Sequence, residues 1–404
     1  MRVLIATHAS LEVDSGEERS LEDLGRELLA RGHEVRIANY EGLLDNSSRR
    51  PLDEIRGELR SAPIISIPKM PLIGPFAAIP SPRGLRALAE AMRWADVVVF
   101  GQFYGFDAVL YLLQRAVRKP VVCSQANALS RPFRTTVRDA VQEGYERTVG
   151  RFLLRRFEGV RVCNAEDLRS LSAAGCPRVL LLFPLNIDLA SSAASGEATE
   201  AGRAWTARLD AEPRLKLLVA GRMTHQKGLD LLAEAIARLG ESHPEVLRGA
   251  VFLFAGTSEL PSALSGVAER FPGRLVNLGV LPREVFPVVL RHVDAVLMPS
   301  RYESFGRVAA EAQSLGRPVV ATDVTGVRQL VIDGATGIVV RRWDGEELAR
   351  AILRLFEIHS RDPSRWAEMG TGARSNFVAQ FGAERTREQV DALVAALDSL
   401  ARGP

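Results

Sequence analysis

Glu303 and Glu311 lie eight residues apart in a stretch, 295–320, that runs AVLMPSRYESFGRVAAEAQSLGRPVV. An ionised carboxylate only accepts hydrogen bonds, so two of them in one place suit a ligand rich in hydroxyls. The elements around them say where they should stand. The apolar run 295–298 has the pattern of a buried parallel strand. Pro299 and Ser300 end it, a short loop carries Arg301, Tyr302 and Glu303, and Ser304 is an acceptable N-cap for a helix over about 305–315. Gly316 stops that helix and Pro318 opens the next strand. Glu303 is therefore expected on a loop at the carboxyl end of a strand, and Glu311 on the second turn of the following helix. Ligands of open parallel sheets bind outside those carboxyl ends, and the N–H groups of a helix start attract anions. The combination describes a place for a phosphorylated polyol. A plainer reading stands beside it. Arg307 and Glu311 are four apart and would make an ordinary i,i+4 surface pair, with Glu303 a solvated loop residue.

A second strand–loop–helix unit passes from Leu217-Leu218-Val219-Ala220 through Gly221-Arg222-Met223-Thr224-His225-Gln226-Lys227-Gly228 to a helix beginning at Leu229. Its loop carries two cations five residues apart, which taken alone would be two solvated side chains. His225 is expected to face solvent. Further strands are expected over 251–255, ending at Gly256, and over 275–279, followed by Val280, Leu281 and Pro282.

The run Glu303-Ser304-Phe305-Gly306-Arg307-Val308-Ala309-Ala310-Glu311, with Ala312, Gly316, Pro318-Val319-Val320-Ala321-Thr322 and Gly326 after it, resembles the donor-binding signature of retaining glycosyltransferases of family 4. The likeness covers nearly the whole chain and is strongest over 217–340. It implies an α/β protein of the GT-B fold, with two Rossmann-like parallel-sheet domains and an interdomain cleft. It also implies transfer of a sugar, with retention, from a nucleoside-diphosphate sugar to an acceptor hydroxyl, and because the chain has no D-x-D triplet no obligatory metal is expected. By the same resemblance Arg222 and Lys227 would hold the diphosphate and neutralise the charge that grows on the leaving group. Glu311 would take the ribose hydroxyls and Glu303 the donor sugar, making Arg222, Lys227 and Glu303 the implied catalytic set. Gly221, Gly256, Val280, Leu281, Ser304, Phe305, Gly306, Arg307 and Val308 would complete the donor site, with the base near Val280 and Leu281. The acceptor hydroxyl would attack on the face that the diphosphate leaves, with the departing phosphate as its base and no enzyme nucleophile. No cofactor is implied beyond the nucleotide sugar, for which a UDP-sugar is favoured, and the other partner is an unidentified acceptor.

The first half has its own strand ends. Strands are expected over 3–6, 97–100, 121–123, 160–163 and 179–183, with helices over 17–31 and 106–117. Gly16 stands at a strand–helix corner where a ligand can approach the backbone. Family members carry a glycine-rich turn here, and this chain, with Asp14-Ser15-Gly16, is one glycine short of the usual pair. Gln102 and Tyr104 follow one strand, and Gln125 and Asn127 another, so these residues with Gly16 form the expected acceptor side. Relatives often have a histidine where Gln125 and Asn127 stand. The proline-rich stretch 62–82 forbids a regular helix, and its apolar residues Ile73, Phe76 and Ile79 are expected to fold back on the core rather than to form a lip of the acceptor site or a contact with a lipid tail. Arginines at 147, 151 and 155 make a basic stripe on a helical region over 132–157. Glu143, Glu146 and Glu158 are interspersed and favour a solvated face over an anionic membrane surface.

A chain of 404 residues is long enough for two cores. Charged residues at 25% and hydrophobic ones at 47% are ordinary globular values. A net charge of +3 argues against a nucleic-acid binder driven by bulk charge. Cys123, Cys163 and Cys176 form no disulfide or zinc pattern, no apolar run approaches a membrane span, and no signal peptide is visible, so a cytoplasmic place is expected, with the inner face of the membrane as the alternative. The absence of G-x-G-x-x-G and of a Walker loop speaks against nicotinamide, flavin and P-loop chemistry. The expected division is a first domain over 1–190, a small-residue linker over 191–212, a nucleotide-sugar domain over 213–380, and a C-terminal helix over 381–404 that returns to the first domain. Three rival functions share these features: a sugar-nucleotide epimerase, a glycosidase using the paired carboxylates, and a catalytically silent nucleotide-sugar-binding protein.

Overall fold

The computed structural model describes residues 1–7, 10–12, 16–40, 55, 57, 59, 62–68, 70, 79–101, 106–125, 140, 143–256 and 259–403. The chain forms two compact units, Met1–Leu185 with Thr386–Pro404, and Asn186–Arg385. Each is a wholly parallel sheet. The first is built from β1 (Arg2–Ala6), β2 (Glu34–Tyr40), β3 (Ile64–Ile67), β4 (Val97–Gly101), β5 (Val121–Gln125), β6 (Gly159–Val162) and β7 (Val179–Leu181), in the order β3-β2-β1-β4-β5-β6-β7. The second is built from β8 (Leu215–Ala220), β9 (Ala250–Ala255), β10 (Leu275–Gly279), β11 (Ala295–Met298), β12 (Val319–Thr322) and β13 (Gly337–Val340), in the order β10-β9-β8-β11-β12-β13. In both, the order reverses beside the first strand of the unit, as in doubly wound sheets.

The strands are continuous apolar runs because both faces are covered. In β1, Val3 and Ile5 pack with Leu21, Leu24 and Leu28 of the helix Gly16–Ala30. Leu4 and Ala6 point the other way, toward Leu88 and Met92 of the helix Pro82–Trp94. That helix has Ser81 as N-cap, whose hydroxyl accepts from the Gly84 N–H at 3.1 Å, and Pro82 in its first turn. Val390, Leu393 and Leu397 of the helix Ala383–Arg402 are buried in the same cluster as Val3 and Ile5.

Three stretches gain local detail, and one expectation among them is corrected. The segment 191–212, expected as a small-residue linker, holds the helices Ala190–Glu197 and Glu200–Asp210. Its small residues serve close packing. A Cβ on Gly196 would lie 2.5 Å from the Glu284 carbonyl oxygen. Ser304 does not cap the helix after β11. The helix is Arg307–Ser314, preceded by Gly306 at φ +82°, a left-handed conformation that glycine takes without strain. The stretch 62–82 is also more regular than its prolines suggest, because Ile64–Ile67 pairs in parallel with β2, Ile37 opposite Ile64. Ile79 is half-buried, while Ile73 and Phe76 lie outside the described residues. Among the described residues no helix is long and apolar enough to cross a membrane.

Candidate active site in the second domain

The carboxyl ends of four neighbouring strands deliver the candidate donor residues. Val280 and Leu281 follow β10, Gly256 follows β9, Gly221, Arg222 and Lys227 follow β8, and Glu303 follows β11. Close backbone approach holds the middle of this row together. The Gly221 N–H donates to the Ala255 carbonyl at 3.0 Å and the Gly256 N–H to the Gly279 carbonyl at 2.8 Å. Gly256 has φ +122°, and a Cβ there would lie 2.3 Å from the Gly221 oxygen, so only glycine fits.

Lys227 and Glu303 meet. Lys227 Nζ lies 2.5 Å from Glu303 Oε1, with the two side chains 21% and 12% exposed. The same carboxylate oxygen accepts from Ser300 Oγ at 2.9 Å. The Ser300 carbonyl accepts from the Thr322 hydroxyl at the end of β12, and the Gly326 N–H donates to the Glu303 carbonyl at 2.9 Å. Lys227 and Ser300 thus hold the carboxylate, and Gly326 holds the backbone that carries it.

Arg301 laces the two loops to each other. Its guanidinium makes a two-pronged contact with Asp230, Nη1 to Oδ1 at 2.8 Å and Nη2 to Oδ2 at 2.6 Å, and Nη1 also donates to the His225 carbonyl at 2.8 Å. Its backbone N–H donates to the Gln226 carbonyl at 2.8 Å, and Gln226 Nε2 returns a bond to the Tyr302 carbonyl at 3.0 Å. The hydrogen bond from Arg301 holds the Asp230 carboxyl below its ordinary range, against the opposing effect of burial. Sequence reasoning named neither Arg301 nor Asp230 for the site. Their 71-residue separation carries no local signal, and only the adjacency of β8 and β11 brings them together.

Glu311 is 4% exposed on the helix Arg307–Ser314 and takes Arg307 Nε on Oε1 at 2.8 Å. The i,i+4 pair of the plainer reading does form, in a buried rather than a surface setting. Arg222, Thr224 and His225 are exposed on the β8 loop, and Val280 is exposed beyond β10. Phe305 is buried and meets Phe381 edge to face at 5.3 Å, which anchors the chain next to Ser304 and Gly306. Val308 is half-buried. On the acceptor side, Gly16 opens the first helix and Gln125 ends β5. Gln102, Tyr104 and Asn127, with the Gln125 side chain, lie outside the described residues. Among the described residues no three His, Cys, Asp or Glu side chains gather as a metal ligand set.

Two doubly wound parallel-sheet domains, with the candidate residues on the strand-end loops of the second, define the GT-B class of α/β proteins. Solved structures agree at the level of the fold. Anabaena Alr3699/HepE in complex with UDP and glucose matches with a TM-score of 0.72 at 18% identity, over 98% of this chain and 100% of that one. Sucrose-phosphate synthase from Thermosynechococcus elongatus matches with a TM-score of 0.73 at 20% identity, over 98% of each. Residues 214–357 match the family model "Glycosyl transferases group 1" and residues 15–185 the model "Glycosyl transferase 4-like domain". The chain belongs to the group 1 glycosyltransferases and is an enzyme that transfers a glycosyl group. It is 28% identical over 287 residues to the alpha-D-kanosaminyltransferase of Streptomyces kanamyceticus, 69% of this chain and 71% of that relative. It is 36% identical over 235 residues to the D-inositol 3-phosphate glycosyltransferase of Geodermatophilus obscurus, 56% of this chain and 48% of that relative.

Proposed function

We propose that the protein moves a sugar from a nucleoside-diphosphate sugar to an acceptor hydroxyl, with retention at the anomeric carbon and without a metal ion. The observation that carries this reading is the meeting of Lys227 and Glu303 beyond the carboxyl ends of the neighbouring strands β8 and β11. An ammonium has three donors, and Glu303 uses one, so the others are available to diphosphate oxygens. Arg222 on the same loop would share that work, and together the two cations would stabilise the leaving group as the glycosidic bond breaks. The second Glu303 oxygen would accept from a hydroxyl of the donor sugar. Gly306 brings no side-chain oxygen to the helix start, which suits an anion there. Glu311 would accept the ribose hydroxyls on the oxygen that Arg307 does not hold. Backbone groups near Val280 and Leu281 would meet the base. Gly16, Gln102, Tyr104, Gln125 and Asn127 of the first domain would serve the acceptor. A UDP-sugar is the favoured donor, supported by the UDP and UDP-glucose complexes of HepE, a protein of the same fold. The kanosaminyl- and inositol-phosphate transferases among the relatives make a hydroxyl-rich small molecule the first acceptor class to try.

Screening UDP-, GDP- and ADP-sugars by thermal shift, followed by NMR of the anomeric proton in donor and product, tests this reading. A UDP-sugar should raise the melting temperature and give a product of unchanged anomeric configuration. An inverted product, or stabilisation by no nucleotide sugar, would refute it.

A further inference from the structure

Among the described residues, three of the exposed large apolar side chains sit on two neighbouring elements of the first domain. Leu112, 67% exposed, is on the helix Phe106–Val117, and Val149 and Phe152, 41% and 48% exposed, are on the helical stretch formed by Glu146–Gly150 and Arg151–Leu154. The elements touch: the Tyr111 and Phe152 rings meet edge to face at 6.3 Å. Helical spacing puts Gly150, Leu153 and Leu154 on the buried side of the second element and turns Thr148, Phe152, Arg155 and Arg156 outward.

Among the described residues the exposed charge on this face is mostly positive. Arg115, Arg118, Arg147, Arg151, Arg155 and Arg156 are exposed on these elements and just beyond them. Two of the three acids that made the arginine stripe look neutral in the sequence turn away from it. Glu143 is buried and paired with Arg147 at 2.5 Å. Glu158 turns inward to Gln114 and to the Val121 N–H at 2.8 Å, and Glu146 is half-buried. Because the whole chain carries only +3, this is a local concentration of charge rather than a bulk property.

We propose that this face docks the first domain on an anionic lipid surface. Apolar side chains ringed by arginines are the pattern of an interfacial contact, with the apolar groups entering the acyl boundary and the guanidinium groups reaching headgroup phosphates. Two other occupants fit less well. A second copy meeting this face symmetrically would set arginine against arginine. A nucleic-acid base would need an open aromatic face, and Arg156 lies over the Phe152 ring at 4.6 Å from its centroid.

Co-sedimentation of the full chain with phosphatidylcholine vesicles, with and without about one third phosphatidylglycerol, tests the proposal. Binding is expected to the anionic vesicles alone and should fall at least tenfold between about 0.1 and 0.5 M salt. Leu112→Ser with Phe152→Ser, and separately Arg151→Glu with Arg156→Glu, should each weaken binding about tenfold at an unchanged melting temperature. Should the apolar pair melt early, the charge-reversal pair decides. No binding to anionic vesicles at low salt, equal binding of neutral ones, or parent-like binding by the charge-reversal pair overturns the proposal. So does a dimer mass by light scattering that the serine pair converts to a monomer, or binding to single-stranded nucleic acid without binding to vesicles.

Discussion

Removing Lys227 and Glu303 singly and together separates their work for the fold from their work for the reaction. At 2.5 Å and an effective dielectric of about 20, the gross attraction is roughly 7 kcal/mol. Both side chains are more than three-quarters buried, and the cost of desolvating them returns most of that, leaving a net coupling of about 1–3 kcal/mol. Lys227→Met should therefore destabilise by about 2 kcal/mol, because the Glu303 carboxylate keeps only the Ser300 hydroxyl on the contacted oxygen. Adding Glu303→Gln removes the uncompensated charge and should recover much of that loss. Transfer should behave differently. Lys227→Met is expected to lower kcat by about 10²–10³, and the double variant should be no faster. Urea unfolding of the four proteins gives the stability cycle, and release of nucleoside diphosphate gives the rates. Additive stability losses would mean that the pair does not form in solution. Near-parental turnover in Lys227→Met would remove the lysine from the leaving group.

Arg301→Gln should leave the fold intact while loosening the two loops, raising the donor KM more than it lowers kcat. Its stability cost, about 1 kcal/mol because Asp230 is half-exposed, also has a pH signature. The folded Asp230 carboxyl is held below its ordinary value of 3.8, so the stabilisation is complete above that pH and is lost as pH falls through the folded value. The difference in melting temperature between parent and variant should shrink below about pH 4, and a difference independent of pH would contradict the pairing. Gly256→Ala should cost about 2–4 kcal/mol, since its Cβ would fall 2.3 Å from a carbonyl oxygen at φ +122°; an unchanged unfolding midpoint would show that the two strand ends are less closely packed. Extensive dialysis against a chelator should leave turnover unchanged, and recovery of lost activity on adding magnesium would refute the metal-free mechanism.

The sheets were legible because buried parallel strands are written as short apolar runs: Val97-Val98-Val99-Phe100 and Leu217-Leu218-Val219-Ala220 could hardly lie elsewhere. The loops of the second domain were legible through their glycines and the spacing of their charges. What escaped depends on neighbours distant in sequence. Gly306, not Ser304, precedes the helix Arg307–Ser314 because the chain crosses Gly326 at backbone distance, where a Cβ would lie 2.4 Å from the Phe305 nitrogen. Residues 191–212 resemble a linker in composition, yet small side chains also permit tight helix contacts. The inward turn of Glu158 is set by Gln114, 44 residues away. The helix Pro82–Trp94 carries a local start signal, Ser81 followed by Pro82.

The first domain is discontinuous: its sheet comes before Asn186, and the helix Ala383–Arg402, whose Val390, Leu393 and Leu397 are buried in the same cluster as Val3 and Ile5, comes at the other end of the chain. During synthesis the second domain emerges whole before that helix exists. Until then the cluster that holds Val3 and Ile5 lacks three of its buried apolar side chains, while the later body has all of its own. Shortening the chain beyond Arg385 would thus be felt in the first domain, in the cluster that holds Val3 and Ile5, rather than in the domain that precedes the cut.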